Sequence, residues 1–211
     1  LTKEQEYQEH REAIDNHLNL YFEEKDIAVF HELFSPFIHL DIYEISPPDK
    51  NYKILLTAGM SSRKMNIGEE TGLQFAELMM IIPDFIDFGK VFPGKSRYSW
   101  IITAMKQAAR LPHENETWLG IGHTIQHDAD MEPYEKNTEF CGAIILPPSE
   151  VDEEFSRIIT ENGVINFYIL FPLYKEELQL KMKIGYKKFL QILNESNTGV
   201  IFDPERKNIC L

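Results

Sequence analysis

A chain of 211 residues that is 43% hydrophobic can build one substantial core, and no apolar run in it approaches the roughly 20 residues that span a bilayer. No membrane partner is therefore expected, and the net charge of -13 argues against nucleic acid and favours a basic protein. The two cysteines, Cys141 and Cys210, make neither a metal spacing nor a disulfide framework, so a reduced, cytoplasmic setting is expected. No leader is visible, although the sequence starts at Leu1. No linker composition divides the chain, and residues 1–211 are expected to form one domain.

Lys3 to Phe22 has Tyr7, Ile14, Leu18 and Tyr21 at helical spacing and reads as an amphipathic helix. Ala28 to Phe34 and Phe37 to Ile45 read as strands separated by a Ser35-Pro36 turn. In the second, Phe37, His39, Asp41, Tyr43 and Ile45 share a face. Pro47-Pro48-Asp49 ends it, and Tyr52 to Thr57 closes a hairpin. Gly59 to Gly72 is a polar loop carrying Arg63 and Lys64. Phe75 to Ile82, stopped by Pro83, is short enough for a buried strand, and Pro83 to Pro93 is an irregular turn.

Tyr98 to Leu111 reads as a helix stopped by Pro112, with Trp100, Ile101, Ala104, Ala108 and Leu111 inward. Pro112 to Gln126 then combines Trp118, Ile121, Ile125 and His123 with two glycines, Gly120 and Gly122. That composition suits a short strand with an approachable edge, its glycines relieving a bulge or a close backbone. Asp128 to Asn137 is an acidic loop, and Phe140 to Leu146 a strand. Val164 to Phe171 follows the Asn162-Gly163 turn signal, and it is apolar on both faces, as a central strand is. Lys175 to Asn194 reads as one long helix, striped by Leu178, Met182, Tyr186, Phe189 and Leu193, with a close neighbour expected at Gly185. Val200 to Pro204 is a short strand and turn. Strands and helices do not alternate regularly, which predicts an α+β fold: a mixed, mostly antiparallel β-sheet flanked by helices.

The charge is uneven. From Glu114 to Glu161 there are twelve acids against two bases, Lys136 and Arg157. The catalytic patterns in the chain are weak. His113-Glu114 lacks a second histidine at 117, Gly120-Ile-Gly122 lacks a third glycine, and Ser61-Ser62 has no flanking elbow glycines. His39, Asp41, His123 and His127 offer metal-ligand chemistry, which gives a metal-dependent hydrolase as a minor alternative. On a strand, however, the four-residue spacing of His123 and His127 separates them by roughly 13 Å. No cofactor and no enzymatic activity are expected.

In chain order, several segments resemble the suppressor of fused (SUFU) domain family. They are His31-Glu-Leu with Ile38-His-Leu-Asp-Ile42; Leu56-Thr-Ala-Gly-Met-Ser61; Ala76-Glu-Leu-Met79 with Ile82-Pro83; Ala109-Arg-Leu-Pro-His-Glu114; Thr117-Trp-Leu-Gly-Ile-Gly-His-Thr124; Cys141-Gly with Leu146-Pro-Pro148; Ile165-Asn-Phe-Tyr168 with Pro172-Leu-Tyr-Lys-Glu-Glu177; and Asp203-Pro204. Each is weak alone; the ordered set is specific. The resemblance implies an α+β domain that binds protein. In the animal Hedgehog-pathway member, such a domain and a second one clamp a transcription-factor peptide. That peptide pairs as a strand with the region matching Trp118 to Gln126. This chain is too short for the second domain and is similar to the bacterial single-domain branch, whose members are associated with toxin systems.

The expectation is an antitoxin or immunity protein for a basic bacterial toxin domain. Trp118, Ile121 and Ile125 would anchor it, His123 would make a polar contact, and Asp128, Asp130, Glu132 and Glu135 would steer it. The alternative is a regulatory module for another protein or peptide.

Overall fold

The computed structural model describes residues 3–35, 37–68, 72–88, 96–149, 151–196 and 198–211. Pro36, residues 69–71 of the polar loop and residues 89–93 of the irregular turn therefore lie outside the described residues. The fold is α+β, an eight-stranded mixed sheet with helices.

Helix α1 (Lys3–Leu18) opens the chain, followed by β1 (Ile27–Phe30), β2 (Asp41–Ile45), β3 (Tyr52–Ala58) and β4 (Phe75–Pro83). Helix α2 (Ser99–Glu114) leads to β5 (Thr124–Gln126), β6 (Phe140–Leu146), β7 (Arg157–Thr160) and β8 (Gly163–Tyr174). Helices α3 (Lys175–Ile184) and α4 (Tyr186–Glu195) follow. The strand order is β1-β2-β3-β4-β8-β6-β5, with β7 paired to β8. Among the described strands only β4 and β8 pair in parallel and the other pairs are antiparallel; an isolated parallel bridge also joins Ile81 to Ile201. Phe75 to Ile82 is buried at every position, as a strand between two covering layers must be. Among the described residues, no helix is long and apolar enough to cross a membrane.

Aromatic packing ties distant segments together. The Trp100 ring of α2 stacks on Tyr134 (5.7 Å) and Phe140 (5.5 Å) and meets Phe202 edge-on (5.7 Å). The C-terminal tail is held by a buried ion pair: the Arg206 guanidinium donates both to Glu177 Oε1 (2.7 Å) and to Oε2 (2.5 Å). Glu177 also accepts the Tyr174 and Ile209 amides, so the start of α3 and the tail share one anion.

The structure departs from the sequence reading in several places. The strand expected from Phe37 begins only at Asp41. The Glu32 carboxylate takes the Leu40 amide and the Asp41 carboxylate takes the Glu32 amide, so side chains satisfy backbone that would otherwise pair in a ladder. Pro112 does not stop α2, which continues to Glu114 with Pro112 in its last turn. The helix expected over Lys175–Asn194 is two, broken at Gly185 (φ 81°, ψ 168°). No atom lies within 4 Å of a Cβ built there, so this glycine serves backbone conformation and not close packing. Met182, placed in the inward stripe, is 54% exposed. Strand β7 went unpredicted, although its Ile158-Ile159 pair precedes a turn signal.

Candidate functional site

The segment from Pro112 to Gln126 is not one strand. Glu116 adopts a left-handed conformation (φ 50°), and the Thr117 amide folds back to donate to the Pro112 carbonyl (2.8 Å). The loop is then sewn down by Asn66, whose amide donates to the Thr117 carbonyl (3.0 Å). Only Thr124 to Gln126 forms a strand, at the end of the sheet.

The two glycines do not make room for a visiting backbone. A Cβ on Gly120 would come within 2.5 Å of the chain's own Trp118 ring, and one on Gly122 (φ 87°) within 2.9 Å of the Tyr186 ring. They are small because aromatic side chains of this chain lie on them. Trp118 is half-buried against the core, and its ring lies 4.3 Å from that of His123. Burial lowers the affinity of His123 for a proton, and Lys181 nearby adds to this, against a bond to the Trp118 backbone.

Ile125 is 3% exposed. Its side chain faces the core, because alternation along β5 turns it inward while Thr124 and Gln126 turn the other way. It therefore cannot anchor a partner, and the expected role of Ile125 is corrected to holding β5 in place. Ile121, at 48% exposure, is the large apolar group left open beside the strand.

The backbone edge is the accessible feature. Ile145 donates to the His123 carbonyl and His127 donates to the Cys141 carbonyl, so residues 123, 125 and 127 form the bonded pairs with β6. The N–H and C=O groups of Thr124 and Gln126 then point away from β6. Among the described residues, no strand lies on that side. Next to the edge, Asp128, Asp130 and Glu132 are exposed, while Glu135 is half-buried and accepts the Ser99 hydroxyl (2.9 Å). Asp128 has a structural task as well: its Oδ1 accepts the amides of Asp130 and Glu132, both at 3.0 Å. These backbone bonds hold its carboxyl below the usual range. The acidic field is not uniform, since the Lys181 ammonium lies 3.5 Å from Thr124 Oγ1 and Lys175 donates to the Asp130 carbonyl.

The histidines and acids considered for a metal do not converge. His39 and Asp41 belong to the β2 end and His123 and His127 to the β5 end, five inter-strand steps apart, roughly 24 Å along the sheet. Among the described residues, no group of three metal-ligating side chains is placed to hold an ion. Burial pushes the Cys141 thiol up to about 11, away from nucleophilic character.

A polar network missed by the sequence reading surrounds Asp41, which is fully buried. Asp41 accepts Tyr7 Oη (3.0 Å), His31 Nδ1, His39 Nε2 and the Glu32 amide (2.9 Å each), with Arg11 Nη1 at 3.4 Å. Ser35 Oγ lies 2.9 Å from His39 Nδ1, completing a serine–histidine–aspartate chain. The same Ser35 hydroxyl donates to Glu32 Oε2 (2.7 Å), so the serine is shared between the His39 ring and the Glu32 carboxylate.

Glu32 has its own acid signature. Burial raises its pKa, but hydrogen bonds from Arg110, Ser35, Lys106 and the Leu40 amide outweigh this and bring it down from 4.5 to about 2. A carboxylate depressed in the folded state contributes stability that is present above its unfolded pKa and lost as pH falls through the folded one. Stability is therefore expected to drop between pH 4.5 and about 2. In Glu32→Gln, urea melts across that window should show a shallower loss.

The α+β fold is shared with solved suppressor of fused structures. The sequence model of the suppressor of fused protein (SUFU) family matches residues 37–207. The chain belongs to the SUFU family. Among solved structures, a SUFU homologue from Neisseria gonorrhoeae FA 1090 superposes with a TM-score of 0.67 at 15% identity, covering 96% of this chain and 97% of that one. The structure of the Sufu–Fu complex gives a TM-score of 0.65 at 13% identity, over 95% of this chain and 91% of that one. Drosophila Suppressor of Fused gives 0.66 at 14% identity, with 95% of this chain covering 51% of the fly protein. Among curated protein sequences, none matches.

Proposed function

We propose that residues 1–211 form a non-enzymatic protein-binding module of the bacterial cytoplasm, an antitoxin or immunity protein that docks a toxin strand on the β5 edge. One observation carries the reading: the outward N–H and C=O groups of Thr124 and Gln126 at the end of the sheet, beside exposed Ile121. Such an edge accepts an added strand through main-chain bonds, while neighbouring side chains set specificity. Ile121 and the open part of Trp118 supply apolar contact, and His123 a polar one. Asp128, Asp130 and Glu132, with Glu135 behind them, draw in a basic toxin domain. That Sufu forms a complex with Fu supports protein binding as the role of the fold.

The test is co-expression with the product of the adjacent reading frame. Rescue from toxicity and a co-purifying complex are expected. Thr124→Pro removes an outward N–H and no bond to β6, since residues 123, 125 and 127 supply those. It should weaken the complex about tenfold or more, the cost of one buried carbonyl left unpaired. Neither rescue nor complex would favour the second reading, a regulatory module for another protein or peptide.

A further inference from the structure

Apart from the β1 and β5 ends of the sheet, strand β7, which lies off the main strand path and pairs with β8, presents an edge of its own. In the β7–β8 hairpin, Thr160 opposes Gly163 and Ile158 opposes Ile165, and the Phe167 amide donates to the Ser156 carbonyl (2.8 Å). Residues 156, 158 and 160 thus face β8, and the N–H and C=O groups of Arg157 and Ile159 point outward. Among the described residues, no strand covers them.

Along this edge runs a groove of about 720 Å³ between β7 and the end of α1. Its apolar wall is open: Ile159 is 80% exposed, Leu20 79% and Tyr21 38%, while Ile158 forms the floor at 8%. Large side chains so exposed beside unpaired backbone mark a contact surface. Its charge is acidic at both ends. Glu154 precedes β7 and Glu161 follows it, both lining the groove, whereas the Arg157 cation is already paired with Glu153 (3.1 Å). A second copy of this acidic chain would bring like charges together, but a basic segment would not.

We infer that the β7 edge is a second docking site, which takes an extended protein segment with apolar side chains in the groove and lysine or arginine at its two ends. The segment adds a strand to Arg157 and Ile159, lays alternate side chains over Ile158, Leu20 and Tyr21, and sets its bases against Glu154 and Glu161.

The probe is the peptide Lys-Thr-Val-Thr-Leu-Thr-Lys, blocked at both ends, whose Lys, Val and Leu share one face of a strand. Amide hydrogen exchange and NMR titration on the intact chain should show protection of the Arg157 and Ile159 amides. The same peptide with Glu at both ends should bind about tenfold more weakly at low salt. Ile159→Pro, which deletes an outward N–H, should weaken binding by about tenfold or more. Leu20→Arg, at a site already exposed, adds a like charge and should do the same even if the proline variant fails to fold. Protection of Thr124 and Gln126 instead, no protection anywhere at millimolar peptide, or insensitivity to both variants would overturn the proposal. So would a concentration-dependent dimer that Leu20→Arg disperses, which would make a second copy the occupant.

Discussion

Asp41→Ala is expected to lower the unfolding free energy by about 3 kcal/mol, at the low end of what breaking a buried charged network costs. Asp41 has no exposed surface, yet it is the common acceptor for donors from α1, from the segment after β1, and from His39 just before its own strand. Without it, the Tyr7 hydroxyl and the Glu32 amide lose their acceptor inside the protein, while Arg11 and His31 can still turn to water. That partial escape keeps the loss at the low end. Asp41→Asn should fall between, because its single carbonyl oxygen cannot accept from so many donors and its NH2 adds donors of its own. Urea denaturation should show a lower midpoint at unchanged slope, and amide exchange should rise from Glu32 to Leu40. A loss below about 1 kcal/mol would mean the donors find other partners, and the network does not hold the segment.

This network shows where sequence reading stops. The periodicity of α1, the apolar runs of β4 and β8 and the Pro-Pro ends of β2 and β6 all follow from local chemistry, so these elements could be placed from the sequence. His39 and Asp41 could be put on one face because strand alternation is local. That Tyr7 and Arg11 reach the same carboxylate depends on α1 packing against β2, a contact of about 30 residues' separation that no period encodes. For the same reason the sequence overextends β1 and β2. Apolar content in Leu33, Phe34, Phe37 and Ile38 suggests ladder pairing, whereas the side chains of Glu32 and Asp41 take the backbone groups.

At the candidate site, the glycines are the ambiguous signal. A glycine beside an aromatic signifies close approach, but sequence does not say by what. Here Trp118 folds onto Gly120 and Tyr186 arrives from α4, so the closeness is internal. Ile125 and Ile121 look equivalent in sequence, and only pairing with β6 turns the first into the core and leaves the second outside. The acidic character after β5 is readable directly from composition, but not that Asp128 also organises the loop through its own side chain.

That dual role shapes the second large expected effect, a slowed association with a basic partner. Reversing Asp128 to lysine would collapse the turn as well as the field, since the side chain accepts two backbone amides. Asp128→Asn combined with Asp130→Lys keeps a capping oxygen and changes the local charge by three units, with the introduced ammonium placed near Lys175. At 10–20 mM salt, where screening lengths exceed roughly 20 Å, the on-rate for the co-purified partner should fall about tenfold. Near 1 M salt the screening length is about 3 Å, and the variant and the parent should associate at nearly the same rate. The off-rate should hardly change, because Thr124, Gln126 and Ile121, which are proposed to hold a docked strand, are untouched. Thermal melts of the two proteins should agree within a few degrees, which separates lost steering from lost folding. Equal on-rates at low salt would remove the acidic loop from the recognition surface and leave binding to the β5 edge alone. A faster on-rate would mean that the partner presents an acidic face and that Lys175 and Lys181 attract it.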